Sequence, residues 1–118
     1  MLRKIMRSKI HRATVTEAQV DYVGSITIDE DLTDAVGMLV GECVLVADMT
    51  DGARFETYVM AGPRGSGVIC INGAAARLVD VGDEVIIMSF AYVEESDLGD
   101  FTPAVALVDK DNRLTKML

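Results

Sequence analysis

Valine and isoleucine dominate the apolar part of this chain, and this bias constrains the fold more than any other feature. The two residue types total 23, against nine leucines. Their branched Cβ atoms suit the pleated surface of a sheet better than the interior of a helix. They occur in short runs separated by turn formers such as Thr50-Asp51-Gly52 and Val81-Gly82-Asp83. We therefore expect a mainly β fold.

The run lengths predict seven strands and two short helices. The strands are expected at residues 2–15, 25–29, 42–48, 54–60, 68–72, 84–92 and 104–109, with helices at 30–38 and 73–78 and a loop at 62–67. Asp29 is expected to cap the first helix, because its side chain can accept from the free N–H groups of the first turn. Many short strands with few helices and no long linker favour a closed β-barrel, which leaves no exposed sheet edge.

Length and charge narrow the range of possible functions. A chain of 118 residues has room for one domain, spanning residues 1–118. The net charge of −8 argues against a nucleic-acid partner and against an anionic membrane surface. No apolar stretch approaches the roughly 20 residues that a membrane helix needs, and residues 1–12 lack the apolar region of a signal peptide. We therefore expect a cytoplasmic protein, with Cys43 and Cys70 as unpaired core thiols.

Positive charge is concentrated at one end of the sequence. The first twelve residues contain no acid and five cations, which are Arg3, Lys4, Arg7, Lys9 and Arg12. Between residues 13 and 109 the only cations are Arg54, Arg64 and Arg77, against eighteen acids. If the first strand runs beside the strand of Arg54, these cations form an anion-binding patch on an acidic body. The alternative is that the N-terminal charges only solvate an edge strand.

His11 is the only histidine and lies two residues after Lys9, so a strand places both side chains on one face. With both cysteines far away in sequence, His11 belongs to no recognisable set of metal ligands, and no metal is expected.

Two Gly-Ser dipeptides occur in the sequence. Gly65-Ser66 lies in a loop whose glycine spacing matches no phosphate-binding fingerprint. Gly24-Ser25 instead precedes the alternating run Ile26-Thr27-Ile28.

Several segments in order resemble the family of pyruvoyl-dependent aspartate 1-decarboxylases. They are Lys9-Ile10-His11-Arg12, Tyr22-Val23-Gly24-Ser25, Arg54-Phe55-Glu56-Thr57-Tyr58, Asn72-Gly73-Ala74-Ala75-Ala76 and Val81-Gly82-Asp83. The resemblance covers residues 1–103, whereas residues 104–118 carry no motif. It implies a six-stranded double-psi β-barrel with short helices, assembled as a homotetramer, that converts L-aspartate to β-alanine and carbon dioxide for pantothenate and coenzyme A synthesis.

The resemblance also implies the cofactor. Decarboxylation of an amino acid needs an electron sink joined to the amine. The loop 62–67 is a poor phosphate cradle for pyridoxal phosphate, which favours a carbonyl made from the chain itself. In the family, cleavage between residues 24 and 25 gives a β chain of residues 1–24 and an α chain of residues 25–118. Ser25 becomes the pyruvoyl group, which forms a Schiff base with the substrate, and a maturation factor can assist the cleavage.

The family motifs assign a role to each matching side chain. Gly24 is the cleavage site, where the missing Cβ allows unusual backbone conformations and close approach. Thr57 hydrogen-bonds the Gly24 carbonyl during processing, and Tyr58 is the proton donor. Substrate binding is assigned to Arg54, Lys9, His11, Tyr22, Asn72, Gly73, Ala74 and Ala75. Adjacent strand residues face opposite ways, so Thr57 and Tyr58 can share a site only if the strand bends.

Each assigned side chain also has an ordinary structural interpretation. Thr57 suits a strand, Tyr58 suits a core, Asn72 suits the start of a helix, and packing beside the cleavage loop accounts equally well for Tyr22. Two other functions therefore stay open. One is a non-catalytic barrel that binds small anions. The other is a serine hydrolase using Ser25 and His11, although the chain has no Gly-x-Ser-x-Gly turn and no carboxylate evident beside His11.

Overall fold

The structure is a computed structural model that describes all 118 residues, and it confirms a mainly β fold with short helices. Nine strands are present: β1 (Leu2–Thr14), β2 (Glu17–Gln19), β3 (Ser25–Asp29), β4 (Cys43–Asp48), β5 (Arg54–Gly62), β6 (Ile69–Asn72), β7 (Glu84–Glu94), β8 (Ala104–Val108) and β9 (Leu114–Met117). One α-helix, α1 (Glu30–Val36), and two 3₁₀ helices, Gly73–Leu78 and Glu95–Asp100, complete the chain. No helix is both long enough and apolar enough to cross a bilayer.

All seven predicted strands are found with shifts of at most two residues at their ends. Three elements were missed: β2, β9 and the 3₁₀ helix Glu95–Asp100. β2 has only three residues and β9 is exposed along its whole length, so neither shows the apolar alternation that identifies a strand. These elements depend on pairing partners that lie far away in the sequence.

The expectation of a hydrogen-bonded closed barrel is wrong. The strands form one sheet in the order β2-β6-β3-β5-β4-β7-β1-β8-β9, with β2 and β9 left at the two ends. The resemblance implies six strands and the chain has nine, and its mainly β character with few short helices agrees with the implied fold class. Within this order β3 lies between β6, to which it is antiparallel, and β5, to which it is parallel.

The core follows from the alternation of side chains along the strands. Ile26 and Ile28 of β3 are fully buried, as are Val85 and Ile87 of β7. Nineteen buried apolar residues form a single cluster, and α1 adds Leu32 and Val36 to it. Because the apolar faces point into this cluster, the intervening side chains of β5 and β7 lie on the outer face of the sheet.

Asp29 joins β3 to the loop 62–67. The Asp29 carboxylate is buried and accepts from the backbone N–H of Asp31, as the predicted helix cap requires. It also accepts from the N–H groups of Gly65 and Gly67, at 3.1 and 2.9 Å. Three backbone donors that would otherwise lack partners are thereby satisfied by one side chain.

Asn112 ties the C-terminal hairpin to the rest of the sheet. Its side chain is buried, accepts from the Thr14 N–H at 2.7 Å and donates to the carbonyls of Thr14 and Gly67, both at 2.8 Å. Its φ of 59° is a left-handed conformation that asparagine tolerates better than most residues. The segment 104–118, which carried no recognisable motif, therefore contributes to the stability of the fold.

We predict that Asn112→Ala lowers the free energy of unfolding by at least about 1–3 kcal/mol, because buried backbone groups of Thr14 and Gly67 lose their partners. Chemical denaturation measures the change. The matched control is Thr115→Ala, which removes an exposed hydrogen bond to the Leu107 carbonyl from the same hairpin. An Asn112→Ala protein as stable as the Thr115→Ala protein would contradict this account of the hairpin.

Candidate functional site

Ser25 lies on the outer face of the sheet, in register with Asn72 of β6. The next outward residue of β3 is Thr27, which is paired with Cys70 of β6. On the far side of β6, the parallel strand β2 sets Glu17 beside Cys70 and Gln19 beside Asn72. Two rows of polar side chains therefore cross three strands. They are Glu17, Cys70 and Thr27 in one row, and Gln19, Asn72 and Ser25 in the other.

Asn72 holds Ser25 in place. Its Nδ2 donates to the Ser25 Oγ at 3.0 Å and to the Thr27 Oγ1 at 3.2 Å, while its Oδ1 accepts from the Cys70 thiol at 3.3 Å. Asn72 also precedes the 3₁₀ helix Gly73–Leu78, yet its side chain makes no capping hydrogen bond there. The amide is directed at the serine instead of the helix end, and Ser25 is only 5% exposed.

Gly73, rather than Gly24, is the glycine that the site requires. A Cβ on Gly24 would meet only the Asn72 carbonyl at 3.9 Å, and Gly24 is absent from the residues with positive φ. A Cβ on Gly73 would lie 2.6 Å from the Gly24 Cα, and the φ of Gly73 is 77°. In this uncleaved chain Gly24 therefore does not use the positive φ that a glycine allows. The close approach of the two backbones is made possible by Gly73, which has no Cβ to collide with Gly24.

Tyr58 and Thr57 extend the site onto β5. The parallel pairing of Ile26 with Val59, continued towards the start of both strands, sets Ser25 level with Tyr58 after one step and Gly24 level with Thr57 after two. Tyr58 is 39% exposed on the outer face that carries Ser25, whereas Thr57 is half-buried between core residues of β5. The two residues face opposite ways, as their spacing predicts. Thr57 makes no side-chain hydrogen bond to Gly24 in this state of the chain.

A cavity of about 300 Å³ opens on the outer face at Asn72, whose amide donates to Ser25, although Ser25 itself does not line it. Its lining includes Tyr22, Thr27, Asn72 and the carboxylate-bearing Glu17 of β2. Tyr22 is largely exposed at the entrance, and Ala74 and Ala75 follow Asn72 with small side chains. This volume accommodates a four-carbon dicarboxylic acid. The predicted residues Tyr22, Asn72 and Gly73 are thus brought together around Ser25.

The N-terminal cations are mostly neutralised by neighbours. Arg3 pairs with Glu95, Arg7 with Glu42 and Arg12 with Glu84. Lys4 instead has its ammonium 5.2 Å from the centroid of the Phe90 ring. Lys9 and Arg54 make no ion pair, so they are the cations of the predicted substrate-binding group that are free to bind an anion.

Lys9 and His11 lie away from Ser25. The condition that β1 runs beside β5 is not met, because β4 and β7 separate them. Lys9 faces Met88 of β7, which in turn faces Leu45 of β4. Ser25 on β3 is four strands from β1, which corresponds to about 19 Å along the sheet at about 4.8 Å per strand. Within one chain the predicted site is therefore divided in two.

His11 lies where β1 departs from regular pairing. The pairing of β1 with β7 is irregular between Ile10 and Ala13, and Arg12 has a φ of 63°, which is costly for a residue with a side chain. Burial, reinforced by the nearby charges of Lys9 and Arg12, lowers the pKa of His11 below its usual 6.5. At neutral pH the imidazole is therefore uncharged, and it can serve an anion only as a hydrogen-bond donor.

The two cysteines differ in environment. Cys70 is buried, as expected, but Cys43 is exposed and the expectation that it is a core thiol is wrong. Cys43 begins β4 on its outer side and its thiol lies 3.8 Å from the Glu56 carboxylate. No group of three or more histidine, cysteine or acidic side chains is arranged to hold a metal ion.

Sequence reasoning missed the contribution of Cys70, Thr27 and Glu17 to the site. Cys70 precedes Asn72 by two residues on a strand, so the two necessarily share a face. That spacing was a usable signal. The approach of Thr27 and Glu17 depends on the pairing of β6 with β3 and β2, which no local pattern reveals.

We predict that Gly73→Ala destabilises the protein more than Gly82→Ala. Both glycines have positive φ, so each alanine variant loses about 1–2 kcal/mol from the left-handed conformation. Only Gly73 meets backbone within contact distance, which adds overpacking of about 1–3 kcal/mol. Gly82 has nothing within 4 Å and is therefore the matched control. Denaturation curves that coincide for the two variants would contradict the contact with Gly24.

We also predict that His11, the single histidine, titrates below pH 6.5 in the folded protein. Its ring resonances in NMR spectra report the titration without ambiguity. Lys9→Gln should move the pKa of His11 upward, whereas Arg3→Gln, which removes a cation that does not influence this ring, should leave it unchanged. Because the folded state disfavours the imidazolium, the contribution of His11 to stability is complete above pH 6.5 and decreases as the pH falls. A pKa at or above 6.5 would contradict this environment.

Comparison with known proteins identifies the family of this chain. The chain is 60% identical to aspartate 1-decarboxylase of Lactiplantibacillus plantarum, covering 98% of this chain and 89% of that protein. It is 56% identical to aspartate 1-decarboxylase of Bacillus velezensis, covering 100% of this chain and 93% of that protein. Among solved structures, the rationally designed mkDPBB_sym_86 protein is 19% identical with a TM-score of 0.46, covering 71% of this chain and 95% of that one. The aspartate decarboxylase family profile matches residues 1–115, so the similarity extends beyond residue 103, and the chain belongs to the aspartate decarboxylase family.

Proposed function

We propose that this protein is a self-processing decarboxylase that cleaves its chain between Gly24 and Ser25 and converts L-aspartate to β-alanine and carbon dioxide. The observation that carries the proposal is the hydrogen bond from Asn72 to the Ser25 Oγ, beside the closely packed Gly24 and Gly73. Family membership supports the reaction, since its relatives are aspartate 1-decarboxylases. A buried serine hydroxyl oriented next to a glycine carbonyl suits an attack on that peptide bond.

The cleavage as a whole consumes one molecule of water and releases one molecule of ammonia. The Ser25 Oγ attacks the Gly24 carbonyl carbon, the bond from that carbon to the Ser25 nitrogen breaks, and an ester with a free amine results. Loss of the Ser25 Cα proton and rupture of its Cβ–Oγ bond then release residues 1–24 with a C-terminal carboxylate. Water replaces the remaining nitrogen as ammonia, which leaves a pyruvoyl group at position 25.

The fold holds Ser25 in a fixed position and limits its contact with water during this step. Ser25 is anchored by backbone pairing with Asn72, and Ser25 is 5% exposed, so few competing water molecules reach its hydroxyl. Thr57 lies level with Gly24 on the next strand and is the group assigned to hydrogen-bond the Gly24 carbonyl as negative charge develops on its oxygen. That contact has to form from the present arrangement by a small movement of residues 22–24.

Residues of this chain fit the pyruvoyl group, because its ketone oxygen would take the place of the Ser25 nitrogen and its methyl group that of the serine side chain, next to the Asn72 amide donor. When formed, the group supplies the electron sink that amino acid decarboxylation requires. Arg54 binds a substrate carboxylate, since its guanidinium is exposed and makes no ion pair. Tyr58 lies on the same outer face as Ser25 and is assigned as the proton donor. No pyridoxal phosphate and no metal enters this scheme.

The division of the site supports assembly into a homotetramer. Lys9 and His11 lie about 19 Å along the sheet from Ser25, which exceeds the reach of either side chain. A neighbouring copy docked on the outer face can bring its own Lys9 and His11 to the cavity beside Ser25. The same face exposes Tyr22, Val23 and Tyr92, which are 67%, 82% and 71% exposed. Burial of these side chains would favour such an assembly.

The product suggests a role in making pantothenate and coenzyme A, which places the enzyme in the cytoplasm. A maturation factor that assists the cleavage is a further partner suggested by the family. Neither a nucleic acid nor a membrane is needed for the reaction, and the substrate is a small dicarboxylic acid. The exposed approach to Gly24, where Tyr22 and Val23 lie, is where such a factor would act.

Intact-mass measurement of the purified protein tests the proposal. We expect fragments 1–24 and 25–118, the larger being lighter by the mass of ammonia than a fragment that begins with serine. Ser25→Ala should remain a single chain and release no β-alanine or carbon dioxide from aspartate. Ser66→Ala, which alters the other Gly-Ser dipeptide, is the matched control and should cleave normally.

A single chain that persists in the wild-type protein, even with cell extract added, would contradict the proposal. Cleavage between Gly65 and Ser66 would show that processing occurs at the other Gly-Ser dipeptide and would contradict the role of Ser25. Binding of aspartate without release of carbon dioxide would instead favour a non-catalytic anion-binding barrel. Ester hydrolysis that disappears in His11→Ala would favour a serine hydrolase.

A further inference from the structure

A continuous line of polar side chains leads from β2 to Ser25, and Cys70 stands in the middle of it. Its thiol donates to the Asn72 Oδ1 at 3.3 Å, and Glu17 lies beside it on β2. Asn72 in turn donates to the Ser25 Oγ at 3.0 Å. Cys70 touches no reacting atom, but it contacts the group that orients one.

The two ends of an asparagine amide differ only in which atom donates. If the Asn72 amide turned over, its oxygen would face Ser25 and Thr27, and its NH₂ would face Cys70. Sulfur is a weak acceptor, so the NH₂ would then lose a good partner. A protonated thiol favours the observed orientation, because the Asn72 Oδ1 accepts from it at 3.3 Å, whereas an NH₂ in that place could not accept. The amide NH₂ is then directed towards the two hydroxyl oxygens.

Burial and the adjacent Glu17 carboxylate raise the pKa of the Cys70 thiol to about 11. The thiol therefore keeps its proton throughout the physiological range. The buried sulfur is also shielded from the reactions of exposed thiolates. This chemistry suits a hydrogen-bond donor and does not suit a nucleophile.

We propose that Cys70 is a positioning residue for self-cleavage, whose S–H group fixes the orientation of the Asn72 amide and through it the Ser25 hydroxyl. The inference rests on the proposed function, because cleavage at Ser25 is the reaction that the orientation serves. Glu17 assists by keeping the thiol protonated. After cleavage, the same thiol keeps the Asn72 NH₂ directed at position 25.

The first test compares alanine and serine at position 70. Cys70→Ala should slow cleavage of the newly made chain about tenfold, the effect of losing one hydrogen bond of ordinary strength. Cys70→Ser, which restores a donor of similar size, should return the rate to within about twofold of wild type. Cys43→Ala is the matched control, because its exposed thiol lies on β4 and should leave the rate unchanged. Thermal unfolding of each chain shows that all remain folded.

The second test asks whether Cys70 acts through Asn72. In an Asn72→Ala background, adding Cys70→Ala should slow cleavage no further, since the amide to be oriented is gone. An equal slowing in both backgrounds would overturn the inference in favour of a packing role. Cleavage of Cys70→Ala at the wild-type rate, or failure of Cys70→Ser to restore it, would overturn it as well.

A third measurement does not depend on cleavage. In a protein carrying Cys43→Ala and Glu17→Ala, which lacks the other thiol and the other nearby acceptor, the infrared S–H stretching band belongs to Cys70 alone, and it should lie at lower frequency than in the same protein carrying Asn72→Ala. An unchanged band would show that the thiol does not donate to Asn72 and would overturn the inference. If the band shifts as expected but the wild-type chain never cleaves, the hydrogen bond is supported and the proposed self-cleavage is rejected instead.

Discussion

The pairing of β3 along both of its edges is the constraint on which the candidate site depends. β3 has only five residues, but β6 pairs with it on one side and β5 on the other. A short strand held in this way cannot shift its register without breaking both ladders and turning Ile26 and Ile28 out of the core. Ser25, its first residue, is consequently fixed against Asn72 of one neighbour and level with Tyr58 of the other.

Strain and flexibility are distributed unequally around this strand. Downstream, Asp29 closes β3 with hydrogen bonds to three backbone donors, so that end is firmly held. Upstream, residues 20–24 form no regular element, and the chain passes over Gly73 at close range. The peptide bond proposed to break thus lies where an irregular segment meets a rigid strand. Rotation on the irregular side can turn the Gly24 carbonyl carbon towards the Ser25 Oγ while the serine stays in place.

Local patterns in the sequence predicted the parts of the fold that local physics determines. The bounds of β3 were predicted correctly, because Ile26 and Ile28 alternate with polar residues and Asp29 marks the helix start. Cys43 was misplaced because it begins a run of apolar residues, although its position on β4 turns it outwards. The neighbours of β1 and the positive φ of Arg12 depend on pairing between distant segments, so no local signal could reveal them.

For the candidate site, the sequence predicted the identity of individual residues but not the distances between them. Motifs identified Ser25, Asn72 and Tyr58 individually, and the structure places them on one face of three adjacent strands. The same motifs could not show that Lys9 and His11 lie four strands away from Ser25, because sequence motifs carry no distances. Nor could they show that most of the N-terminal positive charge is already neutralised by Glu42, Glu84 and Glu95.

The interior position of β1 has a consequence for the proposed two-chain product. β1 pairs with β7 over most of its length and with β8 on its other edge, and it contributes Ile10 and Ala13 to the core. Once residues 1–24 are severed, they form a separate peptide that supplies an interior strand of the sheet. Refolding from the denatured state then becomes an encounter between two molecules, with a rate that depends on concentration. The uncut chain folds on its own as a single molecule, so the mature enzyme preserves an arrangement that it regains only slowly at low concentration.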